Sequence, residues 1–439
     1  MSPAIVMVLF FGALLLLLAF GLPTSFTLGG LSVLFTILIW GPERIGFVIQ
    51  RAYEALGASS LVAMPAFILM ADLLQSSGLA DDLYEAMYRW LGRVPGGLAM
   101  GTVLICTAIA AMSGIAGAGV VIMGIIAFPA MMKRGYDKSM AIGCILAGGV
   151  LGNLIPPSCS FIILGSMARI SIARLFAGGI IPGLILSSLY IAYIGIRCRI
   201  QPSAGPPISE EERFTWKEKF ASLRSVILPV VVVVAVLGSI FTGIASPTEA
   251  SAVGVVAVIV CAIIHRRFSW KTLKTAVYDA FIVNGMIMWI IIGAFCFGAI
   301  FTAVGAPQLV KDFVGTLALS PKQIVMAMQG TYLFFGCFLD DVTMIAITIP
   351  AYLPIIEGLG LNTLWFGILW QINMQVAYLT PPFGYCLFYF KGVAPPEIAM
   401  GDIYRSIAPF VALQVLGLVL VWLVPQLALW VPETVFGLG

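Results

Sequence analysis

One short motif occurs twice in this chain and decides how it folds. The first copy is GNLIPPS at residues 152–158, and the second is YLTPPFG at residues 378–384. Each places a Pro-Pro pair inside a long apolar stretch, where proline removes an amide donor and clashes with the preceding turn. A helix broken inside a membrane persists only where the break lines a protein cavity. A matched pair of breaks therefore indicates a transporter's binding site.

The two halves of the chain share a spacing as well as a motif. A proline is followed by a glycine six residues on, and that glycine by the first proline of the pair after 21 more residues. These residues are Pro129, Gly135 and Pro156 in the first half and Pro354, Gly360 and Pro381 in the second. The offset is 225 residues at all three positions. Two copies in one register indicate an internal duplication.

Composition places the chain in a bilayer. Of its 439 residues, 61% are hydrophobic and 10% are charged, and the mean hydropathy is +1.08. Soluble domains carry about a quarter charged residues, so the sequence predicts an all-α polytopic membrane protein. The net charge of +3 is explained by membrane orientation and implies no nucleic-acid partner. The eight cysteines lack metal-ligand spacing and there is one histidine, so no resident cofactor is expected.

Two further apolar segments, 97–133 and 322–356, are each long enough for two short helices. Their middles are MSGIAGAG at 112–119 and GCFLDDVT at 336–343. We interpret both as re-entrant hairpins that enter the membrane and leave on the same side. The alternative is a pair of full spans, which would need a polar loop at the turn.

Basic residues then orient the chain. With non-crossing hairpins, 17 of the 23 lysines and arginines lie on one face and six on the other. The positive-inside rule makes the richer face cytoplasmic and both termini periplasmic. Five crossings separate the starts of the two repeats, so the repeats are inverted. The predicted units are scaffold helices in 1–58, a first repeat in 59–198, a cytoplasmic loop in 199–224, scaffold helices in 225–280 and a second repeat in 281–439.

The breaks and hairpin tips are the predicted sites. The chain has no phosphate-binding glycine-lysine loop and no nucleophile-base set, so neither ATP hydrolysis nor another enzymatic activity is expected. Exposed carbonyls at a break can hold a hard cation such as sodium. The first predicted sodium site contains Ser113, Gly114, Gly148, Gly149, Asn153 and Pro156. Its symmetry mate contains Asp340, Asp341, Thr380, Pro381 and Gly384. The residues predicted to bind substrate are Asn153, Ser158, Ser160 and Thr380.

Structural alternatives stay open for several of these residues. Gly148 and Gly149 could serve close helix packing, and Asn153 could be an interhelical hydrogen-bond partner. An intramembrane carboxylate is costly and usually functional, but a shallow tip would leave the pair Asp340 and Asp341 solvated. The stretch SPTE at 246–249 reads as a capping box at a helix start.

Several segments of the chain resemble those of a known family. The segments FP at 128–129, KRGY at 133–136, LIPPS at 154–158, SPTEA at 246–250 and LTPPFG at 379–384 resemble the large membrane subunit of the tripartite ATP-independent periplasmic (TRAP) transporters. The likeness runs from about residue 25 to the C-terminus. It implies an elevator-type fold in the bacterial inner membrane and sodium-driven transport of carboxylates. It also implies two partners, a small four-helix membrane subunit and a soluble periplasmic binding protein.

The resemblance carries over to the hairpin tips. In that family the first tip often reads Ser-Gly-Ser and helps to hold sodium; here Ser113 and Gly114 match, and Ile115 replaces the second serine. Asn153 stands where the family commonly has an aliphatic residue. The acidic pair at 340–341 resembles the subgroup that handles 2-oxo acids and related monocarboxylates.

These observations together predict sodium-coupled import of small organic acids. The nearest alternative is a stand-alone ion-coupled carboxylate carrier that uses no binding protein. An intramembrane enzyme is disfavoured because no nucleophile-base set is present, and a channel is disfavoured by the paired hairpins.

Overall fold

The apolar stretches fold as helices. The computed structural model describes residues 2–77, 79–114, 116–207, 214–381 and 384–437. Twenty α-helices lie in these ranges. In chain order they are α1 (Pro3–Ala19), α2 (Thr24–Trp40), α3 (Ile45–Leu56), α4 (Ala63–Ser76), α5 (Leu79–Leu91), α6 (Gly97–Ser113), α7 (Ala116–Lys133), α8 (Lys138–Val150), α9 (Cys159–Ala168), α10 (Ile172–Ile200), α11 (Trp216–Phe241), α12 (Pro247–Ile264), α13 (Trp270–Ala303), α14 (Ala306–Thr316), α15 (Pro321–Gly336), α16 (Asp341–Gly358), α17 (Thr363–Tyr378), α18 (Tyr385–Val393), α19 (Met400–Leu423) and α20 (Gln426–Phe436).

The first Pro-Pro pair breaks a membrane helix, as predicted. Helix α8 ends at Val150, a single 3-10 turn follows at Leu151–Asn153, and α9 begins at Cys159. The peptide bond between the two prolines is cis. Ser158 caps α9, because its Oγ accepts the Phe161 N–H at 3.3 Å. The break is thus a short irregular segment between two helices, and all its residues are buried.

The second pair separates α17 from α18 in the same way. Helix α17 ends at Tyr378 and α18 starts at Tyr385. Pro382 and Phe383, which complete the motif, lie outside the described residues. The helix break predicted at each Pro-Pro motif is therefore confirmed.

Both predicted hairpins consist of two helices in contact. The segment 97–133 forms α6 and α7, and 322–356 forms α15 and α16. Gly114 makes the first turn with φ of +63°, a conformation that favours glycine. Ile115, the other residue of this tip, lies outside the described residues. The first hairpin packs on α8 and the second on α17, so each hairpin covers its own repeat's broken helix.

The remaining helices surround this core. Helix α13 contacts α2, α3 and α4, and α12 contacts α4. The stretch at 246–249 forms the capping box that starts α12: Ser246 Oγ accepts the Glu249 N–H at 3.3 Å, and Glu249 Oε2 accepts the Ser246 N–H at 2.8 Å. Within the described ranges, seven helices are long and apolar enough to cross a membrane.

Two predicted boundaries fall well inside helices. The cytoplasmic loop predicted at 199–224 is helical in its last part, because Thr215 and Glu218 form a capping box that starts α11 at Trp216. The boundary predicted between residues 280 and 281 falls inside α13, which begins at its cap Ser269. Both differences arise because polar residues extend a helix beyond its apolar segment.

Candidate functional site

The tip of the first hairpin docks onto the first break. The Gly114 carbonyl accepts the Cys159 N–H at 3.1 Å, and Asn153 Oδ1 accepts the Ala116 N–H at 2.9 Å. A Cβ on Gly114 would lie 2.6 Å from the Pro157 carbonyl oxygen. Only glycine fits this contact, so the tip and the break form one surface.

Asn153 also joins the two repeats. Its Nδ2 donates to the Tyr378 hydroxyl at 3.1 Å, and both side chains are buried. The two residues are 225 positions apart, which is the offset of the duplication. Equivalent residues of two repeats meet only on the pseudo-two-fold axis that relates them. The bond therefore marks the centre of the inverted pair, and Asn153 is an interhelical partner as the structural alternative had it.

Asp341 lies at the same junction. The Ser160 hydroxyl donates to Asp341 Oδ2, and the Val342 N–H donates to Asp341 Oδ1 at 3.1 Å. The Tyr378 side chain lies beside this carboxylate as well. The offset pairs Asp341 with Ala116, so Tyr378 approaches Asp341 as Asn153 approaches Ala116. The first repeat presents a backbone amide at the position where the second presents an acid.

Asp340 has a different role from its neighbour. Its Oδ1 accepts the Thr343 N–H at 2.9 Å, and its Oδ2 accepts the Thr343 hydroxyl at 2.8 Å. This is an N-cap, in which a short acidic side chain satisfies an otherwise unpaired amide of the first helical turn. Of the predicted acidic pair, Asp341 faces the junction and Asp340 caps α16.

Gly148 and Gly149 bring the arms of the first hairpin close to α8. A Cβ on Gly148 would lie 2.9 Å from Cys106 Cβ, and one on Gly149 would lie 2.6 Å from the Val120 amide nitrogen. Helices approach this closely only through small residues. Gly148 and Gly149 therefore serve close helix packing, and cation binding by their carbonyls stays a prediction.

At the second break two carbonyl oxygens converge. A Cβ on Gly384 would lie 2.9 Å from the Tyr378 oxygen and 3.0 Å from the Thr380 oxygen. The Thr380 hydroxyl donates to the Val376 carbonyl at 2.6 Å, which ties Thr380 to the last turn of α17. Pro381, the next residue, is exposed. Oxygen atoms grouped at a helix break suit a hard cation.

The predicted substrate residues separate into two kinds. Ser158 is committed within the break: its hydroxyl donates to the Asn153 carbonyl at 2.6 Å while capping α9. Ser160 instead points across to Asp341 in the other repeat. Pro156 is buried in the irregular segment, and Ser113 ends α6, its predicted side-chain role lying outside what the structure describes.

Sequence reasoning assigned no role to Tyr378. The signal was available, because adding 225 to the position of Asn153 gives Tyr378. Ser160 and Asp341 were assigned to different sites, and the structure brings them into contact across 181 residues.

The Asn153–Tyr378 bond is expected to couple the stabilities of the two repeats. Tyr378→Phe or Asn153→Leu alone leaves a buried polar group without its partner, which costs about 1–3 kcal/mol. The double variant loses both partners, so its destabilisation should fall short of the sum by about 1 kcal/mol. Denaturant unfolding in micelles measures the cycle. Tyr352→Phe, whose hydroxyl bonds Thr331 at 2.6 Å, should be additive with Asn153→Leu; equal coupling in both cycles would contradict the axial bond.

The chain is similar over nearly its whole length to transporter permeases. The family model of the tripartite ATP-independent periplasmic transporter, DctM component, matches residues 11–427. The C4-dicarboxylate TRAP transporter large permease protein of Vibrio cholerae is 30% identical, over 100% of this chain and 99% of that protein. The isethionate TRAP transporter permease protein of Oleidesulfovibrio alaskensis is 31% identical over 96% of this chain and 65% of that longer protein.

A solved structure supports the fold independently. The YdaH transporter of Alcanivorax borkumensis has a TM-score of 0.67 with this chain at 13% identity, covering 96% of this chain and 99% of that one. At such low identity the likeness shows the fold alone, and the fold is that of a polytopic helical transporter. The resemblance stated from the motifs is confirmed, and the relatives are permeases rather than enzymes. Because the family model spans nearly the whole described chain, this protein belongs to the tripartite ATP-independent periplasmic transporter family, as its large membrane component.

Proposed function

We propose that this permease component imports small organic acids across the bacterial inner membrane, driven by sodium. The observation that carries the proposal is Asp341, a carboxylate at the meeting point of both breaks. Its side-chain contacts in the described residues are hydroxyl and amide donors, with no lysine or arginine among them. A charged carboxylate at membrane depth needs a counter-charge, and a sodium ion would supply one where no lysine or arginine does.

The residues present suit sodium, since they offer oxygen atoms at two related places. At the second break, Asp341 and the carbonyls of Tyr378 and Thr380 would hold one ion, since both carbonyl oxygens lie close to Gly384. At the first, the Gly114 tip and the carbonyls around Asn153 and Pro156 would hold the other. The substrate carboxylate would then lie near Ser160, close to the N-terminus of α9, where helix amides favour an anion.

The proposed movement is that of an elevator. The hairpins and broken helices (α6–α9 and α15–α18) would move as one block, because the Asn153–Tyr378 bond ties the repeats together at their centre. The scaffold around α13 would stay fixed with the small four-helix subunit. A periplasmic binding protein would deliver the acid on the face that holds both termini. Relatives named for C4-dicarboxylates and isethionate support an acidic substrate.

Reconstituted uptake tests the proposal. Proteoliposomes containing this chain and its four-helix partner should accumulate a labelled acid only with an inward sodium gradient and only with the binding protein present. Succinate, isethionate and pyruvate are suitable first substrates. Equal uptake when potassium replaces sodium would overturn the coupling ion. Sodium-driven uptake without binding protein would instead identify a stand-alone carrier.

A further inference from the structure

A large cavity lies away from the breaks, between the scaffold and the proposed moving block. Its volume is about 1290 Å³. Helices α3 and α13 form one wall, and the connections between α9 and α10 and between α16 and α17 form the other. That volume exceeds what a small organic acid occupies, since drug-sized ligands fill pockets of about 300–1,000 Å³.

Three arginines line this cavity, and they differ in their partners. Arg51 pairs with Glu54 at 2.6 Å and stacks over the Phe47 ring. Arg169 and Arg174 form no ion pair with any residue in the described ranges. The remaining acidic residue of the lining is Glu357, and Lys311 Nζ lies beside Gly358, the next residue of α16. Within the described residues, neither of these two guanidinium groups has a carboxylate within ion-pair distance.

The position of these arginines in the chain is unusual. Six basic residues fall on the predicted periplasmic face, where the positive-inside rule disfavours them. They are Arg44, Arg51, Arg169, Arg174, Lys311 and Lys322. Half of the six line this one cavity. Basic residues gathered at a cavity on the predicted periplasmic face favour an anion that arrives from outside.

Helix α9 runs from the cavity to the candidate site. Arg169 is the C-cap of α9 and has φ of +55°, a left-handed backbone conformation that residues other than glycine rarely adopt. The same ten-residue helix begins next to Ser158 and Ser160. At 1.5 Å per residue, α9 spans about 15 Å. One rigid helix thus has the arginine at one end and the site at the other.

We propose that Arg169 and Arg174 form a capture site for the carboxylate of the incoming substrate, separate from the site at the breaks. This rests on the proposed function, because it supposes that the transported molecule is an organic acid entering from this face. Guanidinium groups bind carboxylates through two parallel hydrogen bonds. The cavity lining has three arginines against two glutamates, and such an excess of positive charge raises the local concentration of anions.

Charge-selective thiol labelling tests the capture site directly. All eight native cysteines are buried, so a single cysteine introduced by Thr302→Cys, on the exposed scaffold wall of the cavity, reports the local charge. An anionic methanethiosulfonate should react faster there than a cationic one. Arg169→Gln with Arg174→Gln should lower that rate ratio by about tenfold. Succinate should slow labelling, and its neutral analogue succinamide should not.

Matched variants separate the capture site from general effects. Thr316→Cys, exposed at the end of α14, should keep its rate ratio in the double glutamine variant. Arg169→Lys with Arg174→Lys should retain most of the anionic preference. An unchanged ratio at Thr302→Cys, or equal protection by succinate and succinamide, would overturn the proposal.

The labelling experiment needs no transport. If uptake proves independent of sodium while charge-selective labelling and succinate protection persist, the capture site stands and the coupling proposal fails. If uptake is sodium-driven but the labelling ratio does not respond to the arginines, the reverse holds.

Discussion

Asp341→Asn is expected to reduce sodium-driven uptake by about a hundredfold. The substitution keeps the shape of the side chain and its capacity to accept from Ser160, but it removes the negative charge. Truncating one partner of a buried charge pair costs about 2–5 kcal/mol, and each 1.4 kcal/mol is a factor of ten. Uptake into proteoliposomes over a range of sodium concentrations measures the loss, and the residual activity should need more sodium for half-saturation.

Asp340→Asn is the matched control for this result. Asparagine caps a helix about as well as aspartate, and both side-chain hydrogen bonds of Asp340 go to Thr343 in its own first helical turn, whereas Asp341 reaches across to Ser160 of the other repeat. Its uptake and its sodium dependence should stay close to those of the unmodified protein. If Asp340→Asn proves the more damaging change, or if neither variant alters the sodium response, Asp341 is not the coupling carboxylate.

Gly114→Ala is the second change with a large expected effect. Two costs coincide at this position: φ is +63°, and a Cβ would lie 2.6 Å from the Pro157 carbonyl oxygen. The left-handed conformation alone costs an L-residue about 1–2 kcal/mol. The close contact is with backbone, which cannot rotate away, so the hairpin tip must leave the break. We expect uptake to fall at least about tenfold while the protein still inserts and purifies.

Gly135→Ala separates these two costs. Gly135 has φ of +73°, but a Cβ there meets nothing within 4 Å. It should therefore show the conformational cost, seen as a lower unfolding midpoint, and keep near-normal uptake. Equal uptake losses in the two alanine variants would indicate that strain matters and that docking of the tip does not.

The breaks and hairpins were readable from sequence because their causes are local. Proline and glycine act within a few residues, and the 225-residue offset repeated them in register. The start of α11 has a local cause too, since Thr215 precedes Glu218 by three residues as in a capping box. It was not predicted, because the polar residues around it were assigned to the loop at 199–224.

The site was readable only in part, because its decisive contacts are long-range. Ser160 meets Asp341 across 181 residues, and no local pattern sets that distance. Asp340 and Asp341 are neighbours, so their roles depend on which of them caps α16, and the sequence does not fix the first residue of a helix to within one position. Tyr378 matters because it lies on the pseudo-two-fold axis, and a residue can be placed on that axis only when the two repeats are compared.

The Asn153–Tyr378 bond also bears on how such a site evolves. Before the duplication the two positions were one, and in a symmetric dimer of the ancestral half that residue would have faced its own copy. Every mutation there would have changed both sides together, and an acid at the position of Ala116 and Asp341 would have appeared twice. Fusion into a single chain released the copies from each other. The junction can hold asparagine opposite tyrosine, and one acid instead of two, because each half now mutates alone.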